Sequence, residues 1–202
     1  MIFKKIKSRI SDSGISYIVV GLGNPGKKYE NTRHNAGFLA IDTFAKDNNT
    51  TISRLKFHAL TETIMINGEK VLLMKPQTYM NLSGQAVAEA MNFYKMPPEK
   101  VLLLHDDIYL DLGIIRIKRK GSHGGQNGVK DIIAKAGSEN FPRIKIGIGN
   151  KPHPDYDLAD WVTSAMSKKD MALFMESAEN ASKAISLIVS GKIDDAMSKY
   201  SH

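Results

Sequence analysis

YIVVGLGNPGKKYENTRHNAGFLAIDTFAK, residues 17–46, is the stretch on which the fold turns. Tyr17 to Leu22 is a short apolar run that ends among glycines and reads as a buried strand. From about Arg33 to Lys46, Phe38, Ile41, Phe44 and Ala45 recur at helical spacing. Between the two, Gly21-Leu-Gly23-Asn-Pro-Gly26 fits the GxGxxG pattern of dinucleotide sites. That chemistry requires the helix to start inside the glycine turn, so that its N-terminus meets a pyrophosphate. Here Pro25 and the polar stretch Lys27 to Thr32 postpone the helix by roughly two turns. Asp42, the candidate ribose acid, falls within the predicted helix instead of at a second strand end. The segment reads as a shaped loop that presents Asn24.

Working outward, His58 to Ile66 and Lys70 to Met74 are joined by Asn67-Gly68, a two-residue hairpin signal. Ser83 is the expected N-cap of a helix running to about Lys95, which Pro97-Pro98 prevents from continuing. Val101 to Leu104 predicts another strand, running into His105-Asp106-Asp107. Ile114 to Lys118 alternates apolar and basic, as a strand with one wet face does. A glycine loop, a helix over Val129 to Ala136 and a strand over Ile144 to Ile148 follow. The tail predicts a long amphipathic helix from Lys168 to about Val189 and a last one near Ile193 to Tyr200. Strands interleaved with helices, plus one hairpin, imply an α/β class: a single domain with a mixed sheet flanked by helices. No repeat or low-complexity linker divides the chain. The expected organisation is a basic arm over residues 1–16 and one domain over residues 17–202.

The 202 residues suffice for one sizeable core. Without cysteine, disulfides, thiolate metal sites and a cysteine nucleophile are excluded, which suits a reducing cytoplasm. No run approaches the roughly 20 apolar residues of a bilayer-spanning helix, so no membrane association is expected. The first ten residues carry Lys4, Lys5, Lys7 and Arg9 without an acid but lack the apolar core of a secretory signal. A net charge of +7 favours polyanionic partners, because each neutralised phosphate releases a counterion.

Polar clusters stand where strands end and loops begin, the usual place for sites in open α/β sheets. Asn24, Tyr29, Arg33, His34 and Asn35 form the first, Tyr79-Met80-Asn81 the second, and His105-Asp106-Asp107 the third. A fourth, Gly121-Ser-His-Gly-Gly-Gln-Asn127-Gly, opens a helix, where backbone N–H groups can face an anion. Histidine is the natural general base near neutral pH, and a carboxylate on its other nitrogen fixes the tautomer and stabilises the imidazolium. A His–Asp pair acting on water can therefore cleave an ester, with Asn side chains donating to the developing oxyanion. Each residue also has a plainer reading: a capping Asp, a packing Tyr, methionines as core filler, Arg116 to Lys120 as a solvated edge. Ser83 and Ser122 lack a nucleophile-elbow context. Asp106-Asp107 has no second acidic cluster, so no metal and no other cofactor is expected.

GLGNPGKKYENTRHNAGFLAID (Gly21 to Asp42) closely resembles the signature of bacterial-type peptidyl-tRNA hydrolases. KPQTYMNLSG (Lys75 to Gly84), HDDIYLDLG (His105 to Gly113), GSHGGQNGVKDI (Gly121 to Ile132) and FPRIKIGIGNKP (Phe141 to Pro152) are similar to later motifs of that family, in order. The resemblance covers roughly residues 17–162. It implies a phosphorylase/hydrolase-like twisted mixed sheet with C-terminal helices, and hydrolysis of the ester between a peptide and the terminal ribose of tRNA. It further implies that His34 activates water, that Asp106 holds His34 in its basic form, and that Asn24 helps separate N-blocked from free aminoacyl-tRNA. By the same resemblance Tyr29, Tyr79, Asn81 and Asn127 contact the peptide and the acceptor end, and Met80 lines the peptide channel. Lys118 and Lys145 stand where the family clamps tRNA phosphate. No obligate protein partner is implied, and a monomer is expected.

Two positions depart from the pattern. Gln126 stands where many members have His, and Lys145 where Arg is frequent, giving a point charge in place of a bidentate fork. A non-catalytic RNA-binding protein with the same basic face is the alternative reading; it leaves Asn24, His34 and Asp106 without a purpose.

Overall fold

Tyr17–Gly21 (β1) is buried along its whole length, as a strand covered by helices on both faces must be. In this computed structural model, which describes residues 14–201, β1 lies at the centre of a seven-stranded sheet. The other strands are β2 (Arg54–Lys56), β3 (Ala59–Ile66), β4 (Glu69–Pro76), β5 (Val101–Asp107), β6 (Ile115–Lys118) and β7 (Arg143–Gly147). Their order is β2-β3-β4-β1-β5-β7-β6. The four central strands run parallel, while β2, β3 and β6 add antiparallel edges. The α/β class with a mixed sheet is thus the observed architecture. Of the expected basic arm, residues 1–13 lie outside the described residues. Ile15 is buried, and the Ser16 N–H donates to the Lys70 carbonyl.

The hairpin expected at Asn67-Gly68 forms: both residues have positive φ, 50° and 85°, and Ile66 pairs with Glu69. β5 is longer than its apolar run because β7 pairs with it as far as Asp107 opposite Gly147. The three polar residues therefore belong to the strand. The alternation of Ile115-Arg-Ile-Lys118 buries the isoleucines and exposes the cations.

Helices cover both faces. On one, α1 (Ala36–Asp47), α5 (Lys168–Val189) and α6 (Ile193–Tyr200) enclose a core with Phe44, Leu104, Ile146 and Phe174. On the other, α2 (Ser83–Tyr94) and α3 (Asn127–Ala136) pack over Val20, Leu72, Leu103 and Phe141. α5 buries Phe174, Ala178, Ala181, Ile185 and Ile188, the three- and four-residue spacing of an inward helical stripe. Ser83 does not cap α2. A 3-10 turn, Met80–Leu82, precedes that helix, so Ser83 is its first residue and donates its hydroxyl back to the Met80 carbonyl. A similar turn, Arg33–Asn35, shortens the helix expected from Arg33, and α1 starts at Ala36. Sequence periodicity missed β2 and a one-and-a-half-turn helix, α4 (Leu158–Thr163), each too short to repeat a pattern.

Two glycines decide how the site is assembled. A Cβ on Gly21 would run into the Gly37 carbonyl, and one on Gly37 into the backbone of Leu22 and Leu104. The start of α1 therefore rests against the ends of β1 and β5 with no side chain between. In this chain the first glycine of GxGxxG provides helix–strand contact.

Candidate active site

β1 pairs with β5 only as far as Gly21 opposite Leu104, so His105, Asp106 and Asp107 project beyond the end of β1. The chain leaves β1 for the β4 side and β5 for the β7 side, and the loops part at this pair of carboxyl ends. A crevice at that point is where open α/β sheets place their ligands. A cavity of about 420 Å³ opens there, bounded by His34, Asp106, Gln126, Lys145 and the α4 residues Leu158 and Val162.

Strand alternation sends Asp106 and Asp107 to opposite faces. Asp106 faces the start of α1, where its Oδ2 accepts from His34 Nδ1 at 2.9 Å. An ionised carboxylate can only accept, so the proton sits on Nδ1 and the Nε2 lone pair is left bare. Burial pushes the His34 pKa down, but the charge of Asp106 and the hydrogen bond outweigh it, and the imidazole is held above its ordinary 6.5. Burial likewise pushes Asp106 up. The charge of His34, the hydrogen bonds from His34 and Gln126, and His105 together bring its carboxyl below the usual 3.8. Asp107 instead pairs with Lys145 and accepts the Tyr109 N–H at 2.8 Å.

The remaining carboxamides close a circuit around the pair. Asn24 Oδ1 accepts the Met80 N–H at 2.8 Å, which fixes the carboxamide with its Nδ2 donor on the other side. The Asn35 side chain brackets the main chain of Asn24: its Oδ1 accepts Asn24 N–H at 2.7 Å and its Nδ2 donates to the Asn24 carbonyl at 3.0 Å. Gln126 Nε2 donates to Asp106 Oδ1 and contacts Met80 Sδ, both at 3.1 Å. Contacts therefore run from His34 through Asp106, Gln126, Met80 and Asn24 to Asn35, the neighbour of His34. Four segments far apart in sequence, around Asn24 to Asn35, Met80, Asp106 and Gln126, are locked to one another. Asn35 and Gln126 were visible as members of polar clusters, but nothing in their spacing distinguished their contacts.

Arg33 ties this turn to the cavity wall. Its guanidinium stacks 3.8 Å from the Trp161 ring centroid and donates to Ser164 Oγ (3.0 Å), the Ala165 carbonyl (2.9 Å) and Asp170 Oδ2 (2.7 Å). His105 is fully buried. It hydrogen-bonds through Nδ1 to the Asp106 carbonyl, and burial is the main cause that lowers its pKa to about 4. It is neutral wherever the site works near pH 7. Among the described residues no three His, Cys, Asp or Glu side chains gather closely enough to hold a metal ion.

The family model for peptidyl-tRNA hydrolase matches residues 18–202. The chain belongs to the peptidyl-tRNA hydrolase family. The peptidyl-tRNA hydrolase of Agathobacter rectalis is 51% identical over 185 residues, covering 91% of this chain and 99% of that protein. That of Caldicellulosiruptor bescii is 47% identical over 183 residues, covering 91% and 95%. The crystal structure of peptidyl-tRNA hydrolase from Acinetobacter baumannii matches with a TM-score of 0.86 at 36% identity, covering 93% of this chain and 97% of that one.

Within this member of the peptidyl-tRNA hydrolase family, only Asn127 and Lys145 of the residues expected to touch substrate line that cavity, while Asn24 borders a separate pocket together with Asn35. Met80 is buried beside Asn24, while Tyr79 and Asn81 flank it exposed. Asn127 is exposed at the first turn of α3 and lines the cavity, as does Lys145. Tyr29 is half-buried in the turn Lys27–Tyr29, beneath the Lys28 ammonium. Lys118 is not part of the cavity wall. It is exposed at the end of β6, opposite Arg143 and on the same sheet face as Lys145. Arg143 is buried and donates to the carbonyls of Gly121 and Ser122, holding the glycine loop.

Proposed function

We infer that this protein hydrolyses the ester that joins an N-blocked peptide or aminoacyl group to the terminal ribose of tRNA, releasing peptide and free tRNA. Family membership supports the reaction class. The observation that carries the mechanism is the 2.9 Å contact between His34 Nδ1 and Asp106 Oδ2, two residues that line one cavity with Gln126 and Asn127. Water held at His34 Nε2 gives up a proton as its oxygen attacks the ester carbonyl. Asp106 stabilises the imidazolium that results, by charge and by fixing the tautomer. The tetrahedral oxyanion takes a hydrogen bond from a neutral donor, the Asn24 Nδ2. On collapse the ribose oxygen leaves with the proton stored on His34, which restores the neutral base.

In this reading Asn24 also discriminates between blocked and free α-amino groups. Tyr29, Tyr79, Met80, Asn81 and Asn127 contact the peptide and the acceptor end, and Lys118 and Lys145 bind phosphate. Asp107 occupies Lys145 in the free protein, so a phosphate there would share or displace that partner. The reading includes a monomeric enzyme working in the cytoplasm; sedimentation and cell fractionation test those two points.

The decisive assay compares N-acetyl-aminoacyl-tRNA with the unblocked form, with EDTA present. Rapid cleavage of the blocked ester alone is the expected result. RNA binding without peptide release would leave only the RNA-binding reading, and cleavage of both forms would remove the role assigned to Asn24.

A further inference from the structure

Asp106 has two oxygens, and the mechanism uses one. Oδ2 meets His34; Oδ1 meets Gln126 Nε2 at 3.1 Å. The orientation of that carboxamide is not arbitrary. Gln126 is the N-cap of α3, and its Oε1 accepts the Val129 N–H at 2.7 Å. With the oxygen committed to the helix end, the amide nitrogen must face Asp106. Its other hydrogen lies towards Met80 Sδ, so donor and acceptor capacity are both engaged inside the site.

We propose that Gln126 is a positioning residue for ester hydrolysis: it grips the outer oxygen of Asp106 and transfers the rigidity of the α3 N-terminus to the His34–Asp106 pair. A carboxylate held on both oxygens cannot rotate without breaking one hydrogen bond, so the Nδ1–H direction of His34, and with it the aim of Nε2, is fixed. Gln126 has the further property that it cannot titrate. Its carboxamide donor keeps its proton at every pH. The other titratable groups around the pair are His105 on the same strand, buried and neutral near pH 7, Lys145, ion-paired with Asp107 on the other face, and Tyr109 and His123 in the cavity wall.

This inference rests on the reading of His34 as base and Asp106 as its partner. Its test is built so that the two can fail separately. Turnover of N-acetyl-aminoacyl-tRNA is measured across the neutral pH range for the full chain and for Gln126→Met, Gln126→Glu and Gln126→His. Gln126→Met keeps the side-chain volume and removes the donor. It should lower kcat about 10-fold, short of the roughly 100-fold that an ångström of misplacement costs, with KM little changed. Gln126→Glu keeps an acceptor for the Val129 N–H but sets a second carboxylate against Asp106. It should lower kcat at least as much and move the acidic limb of the rate profile to higher pH, because added negative charge favours the imidazolium. Gln126→His restores a donor and should recover most of kcat.

Thermal melts separate positioning from capping. If Gln126→Met turns over like the wild type, or if all three variants lose activity only in proportion to lost stability with the limb unmoved, Gln126 is a helix cap and the proposal is overturned. If His34→Ala itself keeps wild-type turnover, the underlying mechanism fails, and the Gln126 result then has no bearing on it.

Discussion

The circuit around Asp106 and the cationic face of β6 and β7 are made on opposite principles. In the circuit, Asn24, Asn35, Gln126 and Asp106 are each less than a tenth exposed, and their contacts fall between 2.7 and 3.1 Å. On the cationic face, Arg116 and Lys118 stand exposed on a four-residue edge strand, and the half-buried Lys145 is held by a single carboxylate. The difference fits the two tasks proposed for these regions. Charge developing in a transition state is stabilised by dipoles that are already oriented, and errors in aim are costly. A phosphate backbone needs opposite charge within reach, and a flexible ammonium supplies that without a fixed geometry. In the proposed reading, the closely held groups stand where bonds change and the exposed cations where a long polyanion has to be accommodated.

That contrast is open to attack at both ends. The largest effect expected is at the base: His34→Ala should lower turnover at least roughly 100-fold while tRNA binding persists. Single-turnover kinetics beside a filter-binding isotherm measure the two, and near-normal turnover would retire His34. A change outside the circuit should reach it next. Gly37→Ala inserts a methyl between the start of α1 and the backbone of Leu22 and Leu104. An overpacking cost of about 1–3 kcal/mol is expected in denaturant unfolding, together with slower turnover as His34 shifts from Asp106. Unchanged stability would mean that the helix can slide, and the claim of rigidity would be lost.

On the cationic face the effects should be gentler and of another kind. Lys118→Ala should weaken tRNA binding without changing kcat, and should flatten the salt dependence of binding by about one unit of slope. An unaltered slope would place the phosphates elsewhere. The smallest expected effect is in pH dependence. Because Asp106 holds His34 above 6.5, activity should rise with pH through an apparent pKa higher than that value, as the imidazole loses its proton. Asp106→Asn removes the raising charge while burial remains, so the residual activity should show that limb at lower pH. A limb that stays in place would separate Asp106 from the titrating group.

The order of strands and helices was legible because its signals are local and strong. β1 and the parallel strands are apolar runs, α5 repeats an apolar face over 22 residues, and Asn67-Gly68 meets the backbone demand of its turn. The misplaced boundaries have equally local reasons. A 3-10 turn ahead of α2 displaced the Ser83 cap, and β5 outran its apolar residues because a neighbouring strand went on pairing with it. α4 escaped because six residues are fewer than two helical turns. It forms part of the cavity wall all the same, held by the stacking of Arg33 on Trp161, two residues 128 positions apart.

The residues able to do chemistry, His34, Asp106 and the asparagines, were singled out by type and by position at strand ends. Sequence alone determined the inventory of groups, the α/β class and the basic balance, since these depend on composition and on patterns a few residues long. Which oxygen of Asp106 meets which donor, that Asn24 has its oxygen engaged by the Met80 N–H, and that Lys145 meets Asp107 were decided by tertiary structure alone. Hydrogen bonds are directional over about 3 Å, and partners 11 to 72 residues apart acquire a direction only when the sheet and the glycine-to-glycine contact of β1 with α1 have set them in place.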